Sequence, residues 1–197
     1  GRTLRAASPG ATLALISTPG TYAPADAFAA RAAGLDVVIF SDNVPLAHEI
    51  ALKEAATRRG LLVMGPDCGT AVVAGVGLGF ANVVRPGPVG VVAASGTGAQ
   101  QLMCLLDAVG VGVSHCLGVG GRDLSAEVGA ASTLAALDLL AEDSATERVI
   151  VVSKPPAPEV ADQVRLRASQ LGLPVDLALL GAGQPTLTEA AERVVRA

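Results

Sequence analysis

GVVAASGTGAQ, residues 90–100, is the stretch on which the fold of this chain turns. With Val89 before it, the run to Ala94 is short, wholly apolar and valine-rich. That pattern suits a strand buried on both faces. Ser95-Gly96-Thr97-Gly98 follows, and a helical pattern then runs over about 98–109 and stops at Gly110. Strand, tight small-residue turn and helix together make a βα unit, the building block of a parallel sheet.

The same alternation extends downstream. A strand at about 113–119 leads to a helix at about 131–142, a strand at 149–153 to a helix at about 158–171, and a strand at 175–180 to a helix at about 187–196. Upstream, strands are predicted at 13–16, 35–40 and 61–64. Pro24 opens one intervening helix and Gly34 ends it; Asn43 and Pro45 precede a second that ends at Gly60. Residues 65–88 break the pattern with six Gly and three Pro. Arg85-Pro86-Gly87-Pro88 therefore reads as a boundary. The expected architecture is α/β with mostly parallel sheets. A partial Rossmann-like unit spans 1–86, and a flavodoxin-like unit spans 87–197.

Composition narrows the function. The 197 residues are 51% apolar and 16% charged, with 23 Gly, one Tyr, three Phe and no Trp. The core is built from Ala, Val and Leu. A net charge of −4 gives no general attraction to nucleic acid or an anionic membrane, so a bound anion must be held by local geometry. Cys68, Cys104 and Cys116 are widely spaced and form no metal or disulfide pattern. Reduced thiols and the lack of a long uncharged apolar stretch fit a cytoplasmic protein.

In open α/β sheets ligands lie beyond the carboxyl ends of the strands. Ser95, Gly96, Thr97 and Gly98 occupy that place after one strand. Two readings stand side by side: a cradle of free amides and hydroxyls for a phosphate or carboxylate, or an ordinary N-cap. Neither a P-loop nor a dinucleotide fingerprint is present. Gly120-Gly121-Arg122-Asp123 follows the next strand. Arg122 could clamp a carboxylate, and Asp123 could cap a turn. Lys154 closes the strand after that and could neutralise an anion. Gly65-Pro66-Asp67-Cys68 is a polar turn in which Cys68 is either a thiol near the ligand or a small buried filler. His48 and His115, the only histidines, read as structural.

Taken in order, GPDCGT (65–70), GVVAASGTGAQ (90–100), GVGGRDLS (118–125) and EDSATERVIVVSKPP (142–156) resemble the alpha subunit of succinyl-CoA synthetase. FSDNVPLAHEIALKEAATRRGLLVMGPDCGT (40–70) and GLGFANVV (77–84) resemble, in particular, the FdrA proteins, an offshoot of that family. The resemblance covers roughly residues 10–180. It implies a CoA-binding Rossmann-like domain followed by a ligase domain, with the loop matching Ser95, Gly96 and Thr97 holding the phosphate of a phosphohistidine. Gly65, Pro66, Asp67 and Cys68 match a turn near that site. Two departures stand out. The family's Gly-His-Ala-Gly motif is matched here by LLGAGQPTL (179–187), without histidine, and the glutamate that supports the histidine is matched by Lys154. The family's first Rossmann strand, with the glycine loop that binds CoA, also has no counterpart in the chain.

The resemblance to FdrA implies carbamoyl or acyl transfer through an acyl phosphate. In that reading Ser95, Gly96, Thr97 and Gly98 hold the anion, Lys154 and Arg122 are catalytic, and Cys68, Gly120 and Gly121 line the pocket. The alternatives are an acyl-CoA ligase alpha subunit completed by a partner chain and a non-catalytic assembly subunit. No cofactor is fixed by the residues; CoA and a nucleotide are the candidates, and no metal is expected. The expected partners are a small anionic substrate and further copies or a second subunit.

Overall fold

Short, mostly apolar stretches form the strands, and the segments between the parallel ones fold back as helices over the sheet faces. The computed structural model describes residues 8–181 and 186–196. Its first sheet holds β1 (Leu13–Ile16), β2 (Asp36–Ile39) and β3 (Val63–Met64), parallel and in that order, with α1 (Ala23–Ala32) and α2 (Leu46–Thr57) between them. The second sheet is built from β4 (Thr70–Val73), β5 (Val76–Gly79), β6 (Pro86–Ala93), β7 (Val113–Gly118), β8 (Arg148–Ser153) and β9 (Val175–Leu179). Its helices are α3 (Gly96–Ala108), α4 (Ala131–Glu142), α5 (Pro158–Gln170) and α6 (Leu187–Arg196).

The spatial order of the second sheet is β5-β4-β7-β6-β8-β9. β7, β6, β8 and β9 are parallel, and Val91 of β6 is in register with Cys116 on one side and Ile150 on the other. Their order is the flavodoxin type, so the chain leaves β6 in one direction and later returns on its other side. A crevice opens at the carboxyl ends where that reversal occurs.

Strand alternation divides the core into two layers. Val91, Ile150 and Val152 pack with Leu102, Met103 and Leu106 of α3 and with Leu187 and Ala190 of α6. Val92, Val149 and Val151 face Leu137 and Leu140 of α4 and Val160 and Val164 of α5. The first sheet covers one face with the alanines of α1, Ala23, Ala27 and Ala30. Its other face sends Val38 and Met64 into the cluster around Leu137 and Leu140. The two sheets therefore share a core.

Residues 65–88 differ from the irregular stretch expected. Val73 and Val76 pair across the two-residue turn Ala74–Gly75, whose φ values are 47° and 78°. This is the positive-φ geometry that matches strand twist in a tight hairpin. β4 then joins β7 antiparallel. The sheets thus divide between β3 and β4, not at residues 86 and 87. β6 starts at Pro86, earlier than the apolar run showed, and α3 starts at Gly96, two residues before the expected position.

Candidate functional site

Three loops meet at the crevice: the one after β6, the one after β7 and the one after β8. Together with the turn at 65–69 they enclose an open cavity of about 320 Å³. Cys68, Ser95, Gly96, Thr97, Gly120, Gly121 and Lys154 all line it. Seven of the nine residues expected at the site are therefore brought together. Asp67, Phe80 and Gln100 also line it.

The start of α3 answers the choice between cradle and cap. Ser95 is extended, with φ −147° and ψ 110°, and its Oγ accepts a hydrogen bond from the Gly98 amide at 3.2 Å. Ser95 is an N-cap in the ordinary sense. Gly98 is a packing glycine: a Cβ there would stand 2.9 Å from Val152 Cγ1, and the residue does not line the cavity. The expectation that Gly98 binds the ligand is corrected on both grounds. The amides of Gly96 and Thr97 have no acceptor among the described residues. A Cβ on Gly96 would meet nothing within 4 Å. Two unspent N–H groups and the positive end of the α3 dipole thus face the cavity.

The Gly65–Gly69 turn is pinned between the sheets. Gly65 N donates to Gly118 O at 2.9 Å, while Asp67 N and Cys68 N donate to Ser41 O and Ile39 O, each at 3.0 Å. Cys68 is 4% exposed and its thiol lies 3.6 Å from Thr70 O. Burial pushes its pKa up to about 11, so it is a wall of the cavity and a protonated thiol at neutral pH. Gly120 has φ 92°, and a Cβ on it would lie 2.6 Å from Pro66 O. Only glycine lets the loop after β7 approach that turn so closely.

The chain has two lysines, with opposite environments. Lys154 is exposed on the cavity rim and forms no ion pair with a described carboxylate. Lys53 of α2 is 1% exposed. Its ammonium lies 2.9 Å from Glu49 Oε1, 2.7 Å from Asp123 Oδ1 and 2.9 Å from the carbonyl of Val119. Arg122 belongs to this second group. Its Nη2 donates to Val44 O at 2.8 Å and lies 2.7 Å from Glu49 Oε2, an ion pair too oblique to count as a hydrogen bond. Arg122 does not line the cavity, so the clamp expected of it is made with the protein's own glutamate. Asp123 does cap, as its position suggested, but it caps α4: it accepts from Ser132 N, Thr133 N and Thr133 Oγ1 at 3.1, 2.8 and 2.6 Å. Sequence reasoning missed the Glu49–Lys53 pair, though the i,i+4 spacing was its signal.

Neither histidine lines the cavity. His48 is exposed on α2, and His115 of β7 accepts from Ala74 N through Nδ1 at 3.2 Å, with Nε2 3.4 Å from Asp143. The LLGAGQPTL match lies partly in residues 182–185, outside the described residues.

No protein-family model matches the chain. The uncharacterised protein YahF of Escherichia coli (strain K12) is 45% identical over 181 residues, which is 92% of this chain and 35% of YahF. The ADP-forming succinate–CoA ligase subunit alpha of Methanothermobacter thermautotrophicus is 27% identical over 156 residues, 76% of this chain and 50% of that protein. The chain is a distant homologue of succinate–CoA ligase alpha subunits. It spans half or less of the length of these two relatives. In fold it matches ATP citrate lyase from Methanothrix soehngenii, solved with citrate and coenzyme A, with a TM-score of 0.72 and 16% identity over 95% of this chain and 33% of that one. The name of YahF carries no FdrA assignment, and neither of the other two proteins is named for carbamoyl transfer. Among the described residues no helix is long and apolar enough to cross a membrane.

Proposed function

We propose that this chain is the alpha-type part of an acyl-CoA-ligase-like enzyme and that its cavity binds the phosphoryl group of an acyl phosphate. The observation that carries this reading is the meeting of two amides, Gly96 and Thr97, and of Lys154, none of them with a partner among the described residues, at the crevice of a flavodoxin-type sheet. Homology to ligase alpha subunits supports the class. The amides and the ammonium would stabilise negative charge on phosphoryl oxygens as an acyl–oxygen bond breaks.

Because no histidine faces the cavity, phosphoryl transfer through an imidazole is not built from this chain's own residues. A directly bound acyl phosphate needs none. Carbamoyl phosphate, the ligand implied by the FdrA resemblance, is one member of that class, and an FdrA-type role stays within this proposal. Coenzyme A fits less well. Gly20, the glycine between β1 and α1, faces the backbone of Asp42 and Asn43 instead of open space. The space beside Gly20 is thus taken up by backbone packing, and no coenzyme A is placed there.

Calorimetric titration with inorganic phosphate, acetyl phosphate and carbamoyl phosphate tests the reading. Lys154→Ala should weaken phosphate binding by about 1.5–3 kcal/mol, the range for a hydrogen bond to a charged group. It should leave stability unchanged, since Lys154 pairs with no carboxylate among the described residues. An affinity equal to that of the unsubstituted chain removes Lys154 from the site.

A further inference from the structure

Lys53 lies outside the cavity, yet one of its three contacts reaches the cavity wall. Its ammonium donates to the carbonyl of Val119 at 2.9 Å. Val119 is the residue before Gly120, and its own amide donates to Ala93 O, at the end of β6, at 2.8 Å. Val119 is thus held from both sides, by β6 and by α2.

The peptide between Val119 and Gly120 is planar, so its C=O and N–H point in opposite directions. Fixing the carbonyl on Lys53 turns the Gly120 N–H away from α2. Gly120 is a buried residue, it lines the cavity, and its amide has no acceptor among the described residues. A buried backbone donor without a partner is uncommon and costly. A ligand oxygen would supply the missing acceptor. The ammonium itself is held in place by Glu49 and by Asp123, which is also bound to the amides at the start of α4.

We infer that Lys53 is a positioning residue for the cavity: through Val119 O it aims the Gly120 amide as a third donor to phosphoryl oxygens, beside Gly96 and Thr97. This rests on the cavity being an anion site. It adds that the helix of the first sheet sets one wall of that site, which gives the first sheet a role in binding without any contact to the ligand.

Backbone amide resonances during titration with inorganic phosphate test it on the unsubstituted chain. The expected result is a saturating shift of Gly96, Thr97 and Gly120 together. Shifts at Gly96 and Thr97 without one at Gly120 overturn the inference and leave the anion site standing; no shift at any of the three overturns both. Lys53→Met should then lower phosphate affinity about tenfold and abolish the Gly120 response while Gly96 and Thr97 still move. A purely structural role would change all three responses alike, and that outcome also overturns it. Where Lys53→Met does not fold, the same titration on Lys53→Met with Glu49→Gln and Asp123→Asn, which leaves no unpaired buried charge, gives the reading.

Discussion

Gly118, the last residue of β7, lies so close to Cys68 that a Cβ on it would stand 2.6 Å from the Cys68 sulfur and 2.6 Å from Thr70 O. The glycine lets the turn between the two sheets settle against β7, which places Cys68 in the cavity wall. Gly118→Ala should therefore destabilise the fold by about 1–3 kcal/mol, the cost of overpacking a close-packed site. Urea unfolding reads it. Cys68→Ala should relieve only part of the loss, because the Thr70 carbonyl stays in the way. A midpoint unchanged by Gly118→Ala would mean that the turn can move away freely.

Gly96 gives the opposite expectation. Its Cβ position is open, and alanine is a better helix former than glycine. Gly96→Ala should leave stability within about 0.5 kcal/mol, as surface substitutions do. The added methyl would stand beside the free amides, so phosphate affinity should fall severalfold in the same calorimetric titration. Equal affinity would show that the space beside Gly96 is not where the ligand sits.

Much of the architecture was legible because buried parallel strands carry short apolar runs between helical patterns. Val91–Ala93 of β6 and Val149–Val152 of β8 are the clearest, while β7 and β9 carry His115 and Asp176 within theirs. The β4–β5 hairpin was not, for a physical reason. Its strands are four residues long, and β5 reads Val-Gly-Leu-Gly, in which two glycines weaken the strand signal. The Ala74–Gly75 turn was the available signal. The site divides in the same way. Glycines and hydroxyls at strand ends are local features, and topology alone brought Ser95, Gly121 and Lys154 together. The partner of Arg122 lies 73 residues away in sequence, at Glu49. No local pattern announces such a pair, and an arginine beside a glycine-rich loop looks like a ligand clamp until the fold supplies a carboxylate.

The three cysteines should differ in reactivity. Cys104 is exposed, and Cys68 and Cys116 are buried. Burial pushes the Cys68 thiol up to about 11 and Cys116 to about 12. One equivalent of a thiol reagent should react with the folded chain at pH 8, and none with Cys104→Ser. The same shifts fix a pH dependence. The folded chain favours the protonated thiols, so their contribution is whole below the ordinary thiol value of 9.0. It is lost as the pH rises from there towards 11, where unfolded thiols ionise and folded ones do not. The urea midpoint should fall between pH 8 and pH 10.5, and fall less in a Cys68→Ala, Cys116→Ala variant. Reaction of two or three thiols at pH 8 in the folded chain would contradict the burial.

Arg122 and Lys154 should separate binding from stability. Both are cations at strand ends, and both were candidates for the same anion. Arg122 instead holds Glu49 and the carbonyl of Val44, so its head group is committed to the protein. Glu49 is 1% exposed and keeps Lys53 as a partner when Arg122 is removed. The loss is then partial, and the Arg122 side chain is itself 46% exposed. Arg122→Ala should therefore cost about 1 kcal/mol in urea unfolding, between an exposed ion pair and a buried charged hydrogen bond. Phosphate affinity should stay within about twofold, against the larger loss in Lys154→Ala. A fall in affinity for Arg122→Ala as large as for Lys154→Ala, at unchanged stability, would mean that Arg122 leaves Glu49 for the ligand.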